Sequence, residues 1–382
     1  MISGSMDHNQ PMAPFLTAER AALADSVRAF TANQIAPNLP EWERAGELPR
    51  DLHKQAAALG LLGVGYPEDV GGSGGDLGDV CVVTEAVLAG GGSGGVIAGL
   101  FTHGIAIPHI IDSGNQDLIE QWVRPVLAGE KIACLAVTEP GGGSDVANLG
   151  TRADGSGDSW VLNGSKTFIT SGARADVAVM AARLHSTPGA AGVGLFAVPT
   201  DQRGFQVSRT LDKLGWHCSD TAEIGLVDAR GELITAEGFA SLARHFATER
   251  LSLGVTGYAT AARCVDLARD WIMARETFGR PLAARQVVRH MFVEMNRVTE
   301  VARSFIRGVA DEQITVLDAI YAKKTGVDCA AFVTDRAVQL LGGMGYVSDG
   351  EVERHYRDAR ILGIGGGADE VMADLAARLL GL

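Results

Sequence analysis

The sequence predicts an α+β multidomain protein, helical at its start, β in its middle and helical again at its end. Apolar residues recur at three- and four-residue spacing in the first and last thirds. The middle third is made of short apolar or alternating runs cut by Gly, Asp, Asn and Pro. Strands and helices do not alternate, which excludes a doubly wound sheet. The expected domains are 1–128, 129–235 and 236–382.

In the first domain Leu23, Val27 and Phe30, then Leu52, Ala56, Leu59 and Leu62, mark the apolar faces of successive helices. Thr17, ahead of AERAALADSVRAF, is the expected N-cap. Pro37, Pro40, Pro49 and Pro67 and the glycines from Gly71 to Gly78 divide the region into short helices and loops. In the second domain WVLNG, KTFITSG, DVAVMAARL, VGLFAVP and AEIGLVD are strand signals. Asn163-Gly164 predicts a type I′ hairpin turn, because both residues tolerate positive φ. In the third domain one stripe runs through Val288, Met291, Phe292, Met295, Val298, Val301, Ala302, Phe305 and Ile306. A second runs through Val316, Ala319, Ile320, Lys323, Val327, Ala330, Ala331, Thr334, Val338 and Leu341, so long amphipathic helices pack as a bundle.

Composition narrows the function. The 382 residues carry 33 Lys+Arg against 46 Asp+Glu, a net charge of −13, which repels nucleic acid and anionic lipid. Neither partner is expected. No apolar run of spanning length is apparent, and the N-terminus carries Asp7 and prolines in place of a signal core, so the expected compartment is the cytoplasm. Met1 to Met6, MISGSM, is set aside from the fold reasoning. Cys81, Cys134, Cys218, Cys264 and Cys329 are odd in number, far apart and without a CxxC pair, and are expected as buried thiols. The histidines show no metal-ligand spacing, and no metal is expected; Walker, HExxH and GxSxG motifs are absent.

LAVTEPGGGSDV, Leu135 to Val146, joins the first two domains and packs glycines with hydroxyls and acids. Glycines let a ligand approach the backbone, and Thr138 and Ser144 offer donors; alone, the same cluster reads as an ordinary turn loop. Gly342, Gly343 and Gly345 follow a helical stripe rather than a strand, so they fail the context of a dinucleotide fingerprint.

TEPGGGSD (138–145), GSKTFITSGARAD (164–176), RETFGRPLAARQ (275–286), QLLGGMGY (339–346) and ERHYRDARILGIGGGADEVM (353–372) occur in the order and spacing of one family. Over nearly its whole length the chain resembles the flavin-dependent acyl-CoA dehydrogenases. The resemblance implies a C-terminal four-helix bundle, FAD as cofactor, an acyl-CoA substrate, electron-transfer flavoprotein as acceptor and a homotetramer. It places Leu135, Val137, Thr138, Gly143, Ser144, Phe168, Ile169 and Thr170 around the flavin ring. Phe168 stands where many relatives have Trp; read from the strand alone it is a core aromatic. Arg275, Phe278, Arg285, Gln286, Gln339, Gly342 and Gly343 are similar to residues that hold the pyrophosphate and adenosine end across a subunit interface. Ala368, where relatives have Thr, and Glu370 fall in the last flavin motif, and His217 occupies a position that is often Arg. Ser144, Arg250 and Gly366 are the implied substrate contacts.

Oxidising a thioester between its α- and β-carbons needs a base for the α-proton. Many relatives carry that Glu in the C-terminal loop, where this chain has Gly366. Enzymes resembling the isovaleryl-CoA and long-chain dehydrogenases instead carry it on a bundle helix before an Arg, which Glu249-Arg250 matches. Alone, a Glu-Arg pair on a helix reads as a solvated face. A carboxyl with a reference pKa near 4.3 must be strengthened by desolvation, and the enolate-like oxygen must meet preorganised donors, here the Gly366 N–H. The resemblance thus implies α,β-dehydrogenation with Glu249 as base. A catalytically silent subunit of a hetero-oligomer, or a flavin oxidase or monooxygenase on the same fold, are the alternatives.

Overall fold

The computed structural model describes residues 15–157, 159–185, 187–312, 314–348 and 350–382; MISGSM and Asp7 lie outside them. Among the described residues eight α-helices come first: α1 (Ala18–Phe30), α2 (Leu39–Ala45), α3 (Arg50–Ala58), α4 (Leu77–Ala89), α5 (Gly94–Leu100), α6 (His103–Ser113), α7 (Gln116–Leu118) and α8 (Arg124–Leu127). The Thr17 hydroxyl accepts the Arg20 N–H at 3.2 Å and caps α1. Segment Gly94–Ser113 departs from expectation: its length and mean hydropathy of 1.5 would suit a membrane crossing. Its window is 61% buried inside the protein, where α5 and α6 use that apolar surface for packing.

The β region holds β1 (Ala133–Ala136), β2 (Arg152–Ser156), β3 (Ser159–Thr170), β4 (Val177–Leu184), β5 (Val193–Pro199), β6 (Phe205–Thr210) and β7 (Thr221–Thr235). Pairings run β4–β2–β3–β7–β5 and return to β4, closing the sheet, with β1 beside β4 and β6 beside β7. Alternate residues of β4 face opposite ways. Ala178, Met180 and Ala182 enter the sheet's own core, and Val177, Val179 and Ala181 pack against the helices. Burial on both faces is why DVAVMAARL reads as nearly continuous apolar sequence.

Asn163-Gly164 is not a hairpin turn. β3 runs straight through it, and the register against β7 shifts between Leu162 and Gly164, as at a bulge. Pairing along the 15-residue β7 outweighs the local turn preference. A two-residue hairpin turn with positive φ at both positions lies elsewhere, at Phe278 (51°) and Gly279 (72°), which join β8 (Glu276–Thr277) to β9 (Arg280–Pro281).

The C-terminal region comprises α9 (Gly238–Ala274), α10 (Gln286–Ala310), α11 (Val316–Leu341), α12 (Gly343–Tyr346), α13 (Glu351–Ala359) and α14 (Asp369–Leu379). In α10 the core face is Val288, Met295, Ala302, Ile306 and Val309; Val301 and Phe305, expected in the stripe, are exposed. On α11 the expected core residues Val316 and Ala331 are exposed as well. The α9–α11 crossing is set by glycine. A Cβ on Gly254 would lie 2.5 Å from the Ala322 carbonyl oxygen, and one on Gly326 2.2 Å from that of Gly254. This close approach brings the middle of α9 against Lys323. All five cysteines are free and buried, as expected.

Candidate active site

Glu249 sits about three turns into α9 and is half-buried. The loop between α13 and α14 lies beside it. A Cβ on Gly366 would stand 3.4 Å from Glu249 Oε1 and 2.4 Å from Leu253 Cδ1, so a side chain here would crowd the carboxylate and displace the tip of Leu253. Gly366 also has φ +64°, a conformation that disfavours side chains. The carboxylate forms no ion pair and accepts no hydrogen bond among the described residues. Burial pushes its pKa up, against the opposing charges of Arg250 and Lys323. The Arg250 side chain is buried, its Nε has no acceptor among the described residues, and its guanidinium lies 5.7 Å from the Phe246 ring centroid. Neither residue forms a solvated face.

Lys323 is 1% exposed, and its Nζ donates to the Gly365 carbonyl at 2.6 Å and to that of Gly367. Desolvation lowers its pKa, opposed by Asp369 and Glu249. A loop of three successive glycines has no side chains of its own to fix it, and this lysine supplies the anchor.

A second carboxylate organises the glycine-rich loop. Glu139 accepts from Lys166 Nζ at 2.8 Å, the Gly150 N–H at 2.6 Å and the Thr151 N–H at 2.9 Å. Lys166 is fully buried and also donates to the Val137 carbonyl at 3.0 Å. Burial raises the Glu139 pKa, but Lys166 and the backbone donors outweigh it and hold it below the usual value; burial pulls Lys166 down to about 8. Around this anchor Thr138 is half-buried, Gly143 and Ser144 are exposed, and a Cβ on Gly141 or Gly142 would meet nothing within 4 Å. The backbone there is open to a ligand.

Phe168 is 67% exposed at φ +58°, turned outward where the β3–β7 register breaks between Lys166 and Ile169. It is no core aromatic. Leu135 and Thr170 are half-buried, while Val137 and Ile169 point into the two β-region cores and offer a ligand little beyond main-chain atoms. Below the bundle, Arg285 donates to the Thr277 carbonyl at 2.9 Å and lies 5.6 Å from the Phe278 ring centroid. Arg275 and Gln286 flank this hairpin, both exposed. Gln339, Gly342 and Gly343 are exposed at the end of α11, with open space where a Cβ of either glycine would be. Ala368 is the residue before α14, and Glu370 is exposed in that helix's first turn. His217 Nε2 donates to the Lys213 carbonyl at 2.8 Å.

The structure thus brings Glu249 together with Gly366, and Arg275 with Phe278 and Arg285. Among the described residues no hydrogen bond joins that hairpin to Gln339–Gly343. An open glycine loop with hydroxyls, an outward aromatic, arginines at the hairpin and, separately, open glycines at the end of α11 offer groups for a ligand with a flat end and a phosphorylated end, as FAD has. Lys166 and Lys323 were missed as site residues. The one available signal was a lysine within an apolar stripe, as at Lys323.

Comparison with known proteins agrees with this geometry. The chain matches the acyl-CoA dehydrogenase N-terminal domain over residues 17–130, the middle domain over 134–229 and the C-terminal domain over 236–381. It is 34% identical over 375 residues to the mitochondrial long-chain specific acyl-CoA dehydrogenase of Sus scrofa, covering 95% of this chain and 86% of that one. A probable acyl-CoA dehydrogenase from Mycobacterium abscessus superposes with a TM-score of 0.94 at 52% identity, covering 96% of this chain and all of the other. A glutaryl-CoA dehydrogenase from Mycobacterium smegmatis in complex with FADH2 superposes with a TM-score of 0.87 at 26% identity, covering 96% of each. The chain therefore belongs to the acyl-CoA dehydrogenase family and is an FAD-dependent oxidoreductase.

Proposed function

We propose that this enzyme oxidises an acyl-CoA thioester to the trans-2-enoyl-CoA, with Glu249 removing the α-proton. The observation that carries this reading is the unpaired Glu249 carboxylate, 3.4 Å from where a Gly366 Cβ would stand. FAD, when bound, supplies the acceptor for the β-hydride. Glu249 acts as the base because burial strengthens it against the pull of Arg250 and Lys323, and no hydrogen bond among the described residues occupies it. Gly366 clears the space beside the carboxylate and keeps a backbone N–H for the thioester oxygen, where negative charge grows as the proton leaves. Arg250, buried one residue on, adds fixed positive charge to the same wall. Ser144, on the open loop, is a further substrate contact in this reading.

Leu135, Thr138, Gly143, Phe168 and Thr170, with main-chain atoms of Val137 and Ile169, are the proposed ring contacts. Arg275, Phe278, Arg285, Gln286, Gln339, Gly342 and Gly343 are those of the nucleotide end, with Ala368 and Glu370 near the last flavin motif. Electron-transfer flavoprotein is the proposed acceptor, on the family resemblance. A homotetramer is proposed because Phe278 is 97% exposed and Val301 and Phe305 add apolar surface on α10. The five free buried cysteines fit the proposed cytoplasmic location.

Anaerobic mixing of the yellow holoprotein with straight, branched and aromatic acyl-CoAs tests the reading. Bleaching with formation of one equivalent of 2-enoyl-CoA is expected from at least one of them. Bleaching by none would support the silent subunit, and fast peroxide formation in air would support the oxidase.

A further inference from the structure

We propose that Lys323 is a positioning residue for the reaction: it grips the carbonyls of Gly365 and Gly367, on either side of Gly366, and thereby aims the Gly366 N–H away from itself, for use beside Glu249. This inference rests on the reading of Glu249 as the base. It starts from covalent geometry. The Gly365 carbonyl and the Gly366 N–H belong to one peptide unit, and in a trans peptide the oxygen and the hydrogen point in opposite directions. No cis peptide is found among the described residues. Lys323 Nζ donates to the Gly365 oxygen at 2.6 Å, so the N–H of that unit faces away from the lysine. Among the described residues that N–H has no acceptor, although the Ile364 and Gly365 amides beside it are both taken by the Ile361 carbonyl. A donor left unpaired next to an unpaired carboxylate is the arrangement needed by a group that receives charge only as the reaction proceeds.

The second grip, on the Gly367 carbonyl, fixes the other side of Gly366. Three glycines in a row would otherwise leave the loop with many backbone states, and holding one of them is the entropic work of the lysine. The close α9–α11 crossing at Gly254, Ala322 and Gly326 explains how a helix of the bundle core can reach this loop. The charge of Lys323 has a separate effect. The charged groups around Glu249 are Arg250 on its own helix and Lys323 on α11, with Asp369 of α14 beside the lysine. Because Lys323 spends its protons on carbonyls, it acts on Glu249 through space only, and removing its charge shifts the Glu249 pKa further up.

Two variants separate these effects from folding. Lys323→Met keeps the length and apolar stem but loses the donors and the charge; Lys323→Arg keeps both and serves as the rescue. FAD content and thermal midpoint are measured first on the purified holoproteins. The anaerobic rate of flavin reduction by acyl-CoA is then followed against pH, and the Glu249 carboxyl is titrated by difference infrared spectroscopy, its band assigned with Glu249→Gln. Lys323→Met is expected to lower the limiting rate by about 10- to 100-fold, with the carboxyl titrating at higher pH and Lys323→Arg recovering part of the rate. An unchanged limiting rate and an unchanged titration in FAD-loaded Lys323→Met would overturn the proposal, even where Glu249→Gln is inactive. Should Lys323→Met not fold, Lys323→Gln, which drops the charge and shortens the reach to the two carbonyls, decides: a slowed limiting rate in the FAD-loaded protein supports the proposal, and a wild-type rate with an unmoved titration overturns it. Retained activity in Glu249→Gln would instead remove the reading beneath it.

Discussion

Two carboxylates in this molecule each face a buried lysine, and they end in opposite states. Glu139 receives the Lys166 ammonium directly, with two backbone donors besides, and its pKa is held down. Glu249 accepts no hydrogen bond among the described residues: Lys323, equally buried, gives its hydrogen bonds to the Gly365 and Gly367 carbonyls, and the Glu249 pKa is pushed up. The first arrangement locks a loop. The second leaves a carboxylate free of hydrogen bonds among the described residues, beside a glycine, as the proposed α-proton removal requires. Residue type alone does not make a catalytic acid or base; where the partner's donors go does.

Removing the lysine from each pair breaks the comparison most directly. Lys166→Met leaves Glu139 short of its partner in a buried setting, and about 3–5 kcal/mol of stability should be lost. Thermal denaturation should show it, with FAD released from the loosened loop; an unchanged midpoint would mean that the pair does not anchor the loop. Gly366→Ala comes next. The left-handed conformation costs about 1–2 kcal/mol for a residue with a Cβ, and that Cβ would meet Leu253 at 2.4 Å. Flavin reduction should slow while FAD stays bound, and a wild-type rate would show that the space beside Glu249 is not used.

Acidity sharpens the same contrast. Glu139 has a depressed pKa in the fold, so its contribution to stability is present above its ordinary value of 4.5 and is lost as pH falls through the folded value. Glu249 has a raised pKa, so its contribution is full below 4.5 and is lost as pH rises through the folded value. Glu249→Gln should therefore melt no lower than the wild type at neutral pH, whereas Glu139→Gln should melt lower. A destabilised Glu249→Gln would show that the carboxylate has a partner after all. Phe168→Ala should have the smallest effect on stability, within about 0.5 kcal/mol, since the ring is two-thirds exposed. It should release FAD more readily in a dilution assay; unchanged retention would remove Phe168 from the ring contacts.

Much of this was readable in the sequence, because helical and strand periods are local properties. The order of helical, β and helical regions follows from the spacing of residues such as Val27 and Phe30 or Ala302 and Ile306, and all of these are buried. Glu249 was singled out through the family resemblance, by its pairing with a glycine 117 positions later, and the fold sets the two side by side. Asn163-Gly164 misled because turn preference is weak beside a long strand partner. Val301 and Phe305 misled because apolar spacing cannot tell a face that meets the core from one turned outward. Lys323 was hidden for the opposite reason. Its stem continues the apolar stripe, and its role lies in two carbonyls more than 40 residues away.

The account rests on Glu249 as the base, and single-turnover mixing of anaerobic wild-type and Glu249→Gln holoprotein with the best acyl-CoA substrate tests it. The wild type should bleach in one phase, and the FAD-loaded Gln variant, folded and binding substrate, should bleach about 10²–10⁴ times more slowly. Equal rates in the two proteins would contradict it.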